Sequence, residues 1–179
     1  TTASRDDSWG RCGTYQGKSN QTAAMIIVDV AKACGVNPQV LLVLLEKEQS
    51  LVSTRTPTER KYEIATGYGC PDSSACDELY YGFVNQVFRA ARQYQQYRSN
   101  PYGYKHIAGR VNSILYHPDS SRECGASDVY IRNQATAGLY NYTPYQPNAA
   151  ALDNENLYST GDTCSSYGNR NFWRIFTDW

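Results

Sequence analysis

The sequence has little charge, no net charge and no long hydrophobic run. Charged residues occupy 19% of its 179 positions, and 17 Lys and Arg balance 17 Asp and Glu. A chain without excess positive charge is not expected to bind nucleic acid or anionic lipid. The longest aliphatic run, residues 40–45, has six residues. Because about 20 are needed to span a bilayer, we expect no insertion into a membrane.

Histidine and methionine are also scarce, with two His and one Met. No CxxC pair is present, and neither His106 nor His117 lies near paired cysteines at the spacing of a zinc site. We therefore expect no metal ion and no cofactor. The chain starts at Thr1 without an initiator Met or a signal peptide, and we interpret Thr1 as a mature terminus or the edge of a fragment.

Cysteine, in contrast, is abundant. The six Cys are typical of an oxidised, extracellular protein and predict three disulfide bonds. Only five residues separate Cys70 from Cys76, and we predict a bond between these two because such a short ring costs little to close. Several connectivities stay open for the other four cysteines. The bonds that we favour among them are Cys12 to Cys34 and Cys124 to Cys164.

Tyrosine dominates the aromatic residues, with 16 Tyr against 4 Phe and 3 Trp. A buried Tyr needs a partner for its hydroxyl, and a chain of this size does not usually bury so many. We therefore expect several tyrosines to line a polar groove that suits sugars or peptides.

Hydrophobic spacing predicts a mainly helical fold. Asn20 is expected to cap a first helix that ends at Gly35. Asn37 and Pro38 begin a second, very apolar helix that reaches Val52. The further segments with helical spacing are 79–98, 106–116, 128–140, 148–157 and 169–179.

The length of the chain fits one domain. Residues 1–19 show no hydrophobic period, so we expect an N-terminal segment tethered by Cys12, followed by one domain over residues 20–179. Residues 54–77 contain several Pro and Gly and predict an irregular lobe, with room for a short pair of strands.

One carboxylate falls on the apolar side of the second helix. Helical steps of about 100° place Glu48 in a narrow stripe with Leu41, Leu44 and Leu45. Glu46 falls on the polar side. A carboxyl held among aliphatic side chains resists ionisation, as a general acid near neutral pH requires. The alternative is that Glu48 reaches solvent or pairs with an Arg.

Three motifs follow one another along the chain. The second helix, which opens Asn-Pro-Gln-Val-Leu-Leu, ends in Glu-Gln-Ser from Glu48; residues 65–69 read Ala-Thr-Gly-Tyr-Gly; and residues 137–141 read Ala-Gly-Leu-Tyr-Asn, with Pro144 beyond them. This order resembles that of the soluble lytic transglycosylases and goose-type lysozymes. The segments that are similar to secreted wall-associated proteins of actinobacteria are 142–148 and 167–173.

The resemblance implies a lysozyme-like helical fold and a secreted enzyme that cleaves the β-1,4 bond between N-acetylmuramic acid and N-acetylglucosamine in peptidoglycan. It assigns the acid to Glu48, with Tyr140 and Asn141 facing it. Tyr140 and Asn141 could instead be a core residue and a helix C-cap. The further residues that we expect to line the substrate cleft are Ser50, Gly67, Tyr68, Tyr142 and Tyr145.

Two positions depart from the family pattern. Gln49 stands between Glu48 and Ser50, where the family has a Glu-Ser pair. Tyr68 and Gly69 replace the Leu-Met pair of the second motif. The second motif therefore depends on Gly67 alone.

Glycoside cleavage normally needs an acid and a second group at the anomeric carbon. With a 2-acetamido sugar, the resemblance implies that the substrate's own carbonyl attacks and that Glu48 then acts as base, forming a 1,6-anhydro ring. Hydrolysis with inversion would instead need a second carboxylate about 6.5–9.5 Å from the acid. The candidates are Glu63, Asp72 and Asp77, whose alternative role is that of solvated loop charges.

Three functions are compatible with the sequence. The first is a secreted lytic enzyme, the second a non-catalytic glycan-binding or adhesive module on the same fold, and the third a wall peptidase or amidase that needs a free Cys near His. A Glu48 that faces inward favours the enzyme, whereas a Glu48 paired with Arg or turned outward favours the binding module. We expect a monomer in the extracellular space or cell wall, with peptidoglycan strands as its partner.

Overall fold

The computed structural model describes residues 1–72, 74–153, 156–157 and 159–179. The chain divides into two compact units, Thr1–Ser99 (unit 1) and Asn100–Trp179 (unit 2). Over the described residues it contains seven α-helices and one two-stranded sheet. The prediction of a mainly helical, disulfide-linked fold with a small β component is confirmed.

The first helix, α1, spans Ala23–Cys34 and is capped by Thr22, whose side chain accepts a hydrogen bond from the Met25 N–H at 3.3 Å. The predicted cap at Asn20 is wrong, because Asn20 has a left-handed φ of 56° and an N-cap needs extended backbone. The predicted end at Gly35 is confirmed, since Gly35 adopts φ 62° and its N–H bonds back to the last turn.

The second helix, α2, spans Pro38–Gln49, with Asn37 as its cap and Pro at its first position, as predicted. It ends before Val52, because Ser50 takes a left-handed φ of 54° and donates its N–H to the Glu46 carbonyl at 2.8 Å. Glu48 therefore lies in the last turn of α2, one residue before the helix ends at Gln49.

The segment after α2 contains a short helix, α3 (Glu59–Glu63), and turns. No strand occurs in residues 54–72 and 74–77, so the predicted strand pair is not found there. A 3-10 turn at Glu78–Tyr80 precedes the long helix α4, Phe83–Ser99. This helix was expected from residue 79, and it starts later because the Asp77 side chain closes the 3-10 turn by accepting the Leu79 N–H.

The core of unit 1 lies where α1, α2 and α4 pack together. Its fully apolar centre removes large aliphatic side chains from water, which is the main favourable term in folding. The side chains that form this centre include Ile26, Ile27, Val30, Leu41, Leu45, Val87 and Phe88. The prediction that α2 is a central, buried helix is confirmed.

The N-terminal segment is held by more than Cys12. Arg5 and Tyr15 pair as an isolated β-bridge, and Tyr15 is buried. The buried Asp7 carboxylate accepts a hydrogen bond from Arg92 Nε at 2.7 Å and bonds from the backbone N–H groups of residues 9, 11 and 12. Burial alone would raise the pKa of Asp7, but these bonds outweigh it and hold the pKa at about 2.

Unit 2 contains the two strands, β1 (Arg110–Leu115) and β2 (Ala126–Ile131), which pair antiparallel. The predicted helix over 106–116 is wrong, and the predicted helix over 128–140 begins only at residue 134. Burial in β1 alternates with a period of two, with Asn112 and Ile114 inward, which a strand satisfies and a helix does not. Ile114 packs on Ile131 in the small core of this unit.

Three helices complete unit 2: α5 (Gln134–Tyr142), α6 (Ala149–Leu152) and α7 (Gly168–Asp178). Asn133 caps α5 by accepting the Thr136 N–H at 2.9 Å. Helix α6 is shorter than the predicted 148–157, of which residues 154 and 155 lie outside the described residues. Helix α7 agrees with the prediction.

The six cysteines form three disulfide bonds, and the pairs agree with those favoured from the sequence. The bonded pairs are Cys12 with Cys34, Cys70 with Cys76 and Cys124 with Cys164. No cysteine is left unpaired, so the free Cys that the peptidase or amidase alternative needs is not found. Among the described residues, no helix combines the length and apolar character needed to cross a membrane.

Candidate functional site

Glu48 lies in the last turn of α2 beside a buried cation. The Lys47 ammonium is 2.6 Å from Glu48 Oε1, and the side chains of Lys47 and Glu48 are 5% and 26% exposed. The Glu48 side chain is thus mostly buried, as predicted, but its carboxylate is paired with Lys47 rather than held among aliphatic side chains alone. A buried ammonium without a partner would be costly, so the pair fixes the direction of both side chains.

The buried carboxylate of α2 is Glu46, which the helical pattern placed on the polar side. Glu46 is 9% exposed. Its Oε2 accepts the backbone N–H groups of Val52 and Ser53, both at 3.0 Å, and its Oε1 accepts the Ser53 hydroxyl at 2.7 Å. The chain folds back over this face of the helix after Ser50, which a helical projection cannot show.

The turn at residues 66–69 lies against Glu48. A Cβ built on Gly67 would lie 3.1 Å from Glu48 Oε2 and 3.3 Å from its Cδ, and Gly67 has φ 69°. Glycine is needed here for two reasons. A side chain would strain the left-handed backbone, and its Cβ would press on the Glu48 carboxylate. The structure therefore brings together two of the residues predicted for the site, Glu48 and Gly67.

Gln86 on α4 holds this turn in place. Its Oε1 accepts the N–H groups of Thr66 and Tyr68 at 3.1 and 3.2 Å, and its Nε2 donates to the carbonyls of Tyr68 and Tyr80 at 2.8 and 2.7 Å. The Thr66 hydroxyl also lies 3.1 Å from both Gln86 Oε1 and the Gln86 carbonyl. One side chain thus fixes the backbone on both sides of Gly67.

Two tyrosine rings form the outer side of the same turn. Tyr68 and Tyr80 meet edge to face, with ring centroids 4.9 Å apart. The Tyr80 ring packs on Gly69 so closely that any Cβ there would overlap the ring, and the Arg89 guanidinium lies 5.5 Å from its centroid. Of the two, Tyr68 directly follows Gly67 in the chain, and both rings are half-buried.

Tyr94 lies two helical turns beyond Gln86 and its hydroxyl is buried near Glu48. Burial raises the pKa of Tyr94, and the charge of Glu48 raises it further. Both effects keep the phenol neutral, and a neutral phenol is a hydrogen-bond donor. Glu48 therefore lies beside an ammonium and a glycine turn, and its charge acts on a buried phenol.

The three carboxylates considered as a second catalytic group have other contacts. Glu63 pairs with Arg60 at 3.0 Å, and Asp77 accepts the Leu79 N–H at 3.0 Å. Asp72 is exposed. Ser50, the other predicted neighbour of Glu48, serves as the left-handed C-cap of α2.

Tyr140 and Asn141 belong to α5 in unit 2, where both contact His106. The Asn141 carboxamide accepts the His106 N–H at 2.9 Å and donates to the His106 carbonyl at 2.8 Å. The Tyr140 ring meets the His106 ring edge to face at 6.0 Å, and burial raises the pKa of Tyr140. The role of these two residues opposite Glu48 stays a prediction.

Tyr142 and Tyr145 are half-buried at the end of α5 and in the turn after it. The backbone of Tyr145 forms a bridge to Leu115, and the Asn169 side chain donates to the Tyr145 carbonyl at 2.8 Å. The segment that carries both tyrosines is thus anchored on β1 and α7. Their contact with a sugar stays a prediction.

The pattern analysis missed Lys47, Gln86, Tyr94 and His106. Gln86 had no signal in the helical pattern, because steps of about 100° per residue place it on the side of the predicted helix opposite the apolar stripe. Lys47 had none either, since a lysine on a helix is normally solvated. His106 was the first residue of a segment that was wrongly assigned as helix, so its burial could not be inferred.

A comparison with protein families finds one description that fits most of the chain. Residues 12–152 match the family model "LasA, N-terminal domain". This range includes α1 to α6, the turn at 66–69 and both strands. No curated protein and no solved structure matches the chain. The match covers far more than half of the 179 residues, and the chain belongs to the LasA N-terminal domain family.

Proposed function

We propose that this chain is a secreted enzyme that cleaves the β-1,4 bond between N-acetylmuramic acid and N-acetylglucosamine in peptidoglycan, with Glu48 as general acid and base. The observation that carries the proposal is the placement of the Glu48 carboxylate: Lys47 holds Oε1, and Oε2 lies over the glycine turn at Gly67. This is a partly exposed carboxylate with a fixed direction.

Fixed direction is what proton transfer requires. A general acid or base acts only when it lies within hydrogen-bond distance of the reacting oxygen. Gly67 itself places no side chain beside Oε2, and the Tyr68 ring in the same turn can face the apolar side of a sugar. The buried phenol of Tyr94 is a neutral donor whose pKa the charge of Glu48 raises.

The chemistry can proceed without a second protein carboxylate. Glu48 gives a proton to the leaving oxygen, the 2-acetamido carbonyl of the substrate attacks the anomeric carbon, and the Glu48 carboxylate then takes the proton of the O6 hydroxyl as that oxygen closes a 1,6-anhydro ring. If Glu48 activates a water instead, the product is a reducing sugar. The contacts of Glu63 and Asp77 weigh against inverting hydrolysis through either of them, because both carboxylates are engaged elsewhere.

The setting of the protein agrees with this substrate. Three disulfide bonds are typical of a protein that folds outside the cytosol, and both they and the family match are consistent with an extracellular protein. Attachment to, or action on, the cell wall is part of the proposal.

The test is to incubate the protein with purified peptidoglycan and identify the soluble products by mass spectrometry. We expect muropeptides from the wild type, none from Glu48→Gln, and wild-type amounts from Glu63→Gln, which removes an exposed carboxylate of the same unit. Equal release by wild type and Glu48→Gln would refute the proposal. The mass of the products separates an anhydro end from a reducing end.

A second candidate function is a non-catalytic glycan-binding module. The observation that favours it is the Lys47–Glu48 ion pair, because a carboxylate held by a buried ammonium resembles a structural group more than a proton donor. This function predicts that the wild type sediments with insoluble peptidoglycan but releases no fragments from it, and that Glu48→Gln binds equally well.

A further inference from the structure

Gln86 is a wholly buried polar side chain in the first turn of α4. It is 0% exposed, and its neighbours Val87 and Phe88 are core residues. Burying a carboxamide is costly unless its donors and acceptor are bonded. Here both hydrogens of Nε2 are used and Oε1 accepts from the backbone, so this buried polar group is satisfied by the turn at 66–69 together with the Tyr80 carbonyl.

The bonds of Gln86 surround Gly67 without touching it. They attach to the N–H of Thr66 on one side and to the N–H and carbonyl of Tyr68 on the other. The position of Gly67, and with it the space beside Glu48 Oε2, is therefore set by a side chain of α4. The fourth bond, to the Tyr80 carbonyl, fixes the ring that covers Gly69.

We propose that Gln86 is the positioning residue of the Glu48 site: it holds the turn at 66–68 at the distance from the carboxylate that the reaction needs. The inference rests on the proposed function. Gln86 does not touch the substrate, and it acts only through Gly67 and Tyr68. A displacement of about 1 Å in such a wall can cost about 100-fold in rate.

The main test is Gln86→Met, which keeps the length of the side chain and removes all of its hydrogen bonds. We expect amide hydrogen exchange at Thr66 and Tyr68 to become fast, because their N–H groups lose their acceptor. We expect kcat on peptidoglycan fragments to fall about 10- to 100-fold, with KM changed much less. A merely structural residue would lower the melting temperature without this split between kcat and KM.

A conservative variant adds a rescue. In Gln86→Glu the oxygen that replaces Nε2 faces the carbonyl oxygens of Tyr68 and Tyr80 without a proton when the side chain is ionised, whereas the protonated acid can donate to one of them. Burial favours the protonated form, and lower pH increases it. We therefore expect kcat of this variant, divided by that of the wild type at the same pH, to rise as the pH falls.

The matched control is Gln96→Met. Gln96 is also a buried glutamine of α4, and its side chain accepts a bond from Arg11 Nε at 2.8 Å, away from the turn. It should lose stability but keep the exchange rates at Thr66 and Tyr68 and the wild-type kcat. Slow exchange in Gln86→Met, or unchanged kcat despite fast exchange, would overturn the positioning role alone. An inactive wild type would overturn the proposed function and this role together.

Discussion

Glu46 and Glu48 lie two residues apart on α2 and have opposite surroundings. The Glu46 carboxylate is buried and accepts two backbone N–H groups and a hydroxyl from residues 52 and 53. The Glu48 carboxylate is partly exposed and pairs with Lys47. Glu46 therefore fixes the chain that follows the helix, and Glu48 is the more exposed of the two carboxylates.

This difference predicts separate effects on stability. Glu46→Gln keeps the shape but loses charge on a group that accepts three hydrogen bonds, and bonds to charged groups contribute about 1.5–3 kcal/mol. We expect a loss of about 2 kcal/mol in the free energy of unfolding, measured by urea denaturation. Glu48→Gln should lose less, because its carboxylate is partly exposed. Equal urea midpoints for the two variants would contradict this assignment.

Local signals in the sequence were sufficient for much of unit 1. Asn37 followed by Pro38 has a single good structural interpretation, and the cap of α2 is found there. The bond between Cys70 and Cys76 also followed from its short separation, whereas the other two pairs agree with choices that the sequence left open. The prediction that failed was the placement of Glu46 on the polar, exposed side of α2. Glu46 is buried because residues 52 and 53 fold back over it, and a helical period carries no information about such a tertiary contact.

Unit 2 shows the second kind of failure. The spacing of Ile131 and Ala135 suggested that both belong to one helix over residues 128–140. In the structure, Ile131 is the last residue of strand β2, and Ala135 belongs to helix α5. Residues from two adjacent elements can mimic a period of three to four. Residues 126–131 form a strand because they pair with β1. This pairing joins residues far apart in the sequence, so a local pattern does not contain it. The role of Gln86 was missed for the same reason, since its partners lie up to 20 residues earlier in the chain.

Gly67→Ala is expected to impair both folding and activity. Gly67 has φ 69°, and the added methyl would press on Glu48 Oε2 at 3.1 Å. The left-handed backbone costs about 1–2 kcal/mol for alanine, and the contact moves the carboxylate. Gly10→Ala is the matched control, because Gly10 has φ 67° with no atom within 4 Å of the added Cβ. If the two variants lose the same stability and keep the same activity, the contact with Glu48 has no consequence.

Asp7 should make unit 1 sensitive to strong acid. Its pKa is about 2 in the folded protein against an ordinary 3.8, so the folded state keeps the carboxylate charged where the unfolded chain is protonated. The stabilisation is complete above about pH 4 and is lost as the pH falls toward 2, with a total of about 2 kcal/mol. Asp7→Asn should remove this part of the acid dependence in melting curves between pH 4 and 2. A wild-type curve that is flat in this range would contradict the prediction.

His106 should make unit 2 sensitive to mild acid. It is 1% exposed, and neither ring nitrogen has a hydrogen-bond partner among the described residues. Burial, together with the charge of Lys105, lowers the pKa of His106. Below about pH 6.5 this histidine binds a proton in the unfolded chain but stays neutral in the folded chain. The free energy of unfolding therefore falls as the pH falls, by at most about 1.4 kcal/mol per pH unit.

The variant that tests this is His106→Phe, which keeps an aromatic ring against Tyr140 and cannot be protonated. We expect its free energy of unfolding to change less than that of the wild type between pH 7 and 5, as measured by urea denaturation with a unit 2 probe such as amide exchange at Ile114. His117→Gln is the control, because it removes the other histidine, whose ring nitrogen accepts the Asp119 N–H at 3.0 Å. It should keep the wild-type slope. If His106→Phe and the wild type have the same slope, the buried imidazole is not the acid-sensitive group of this unit.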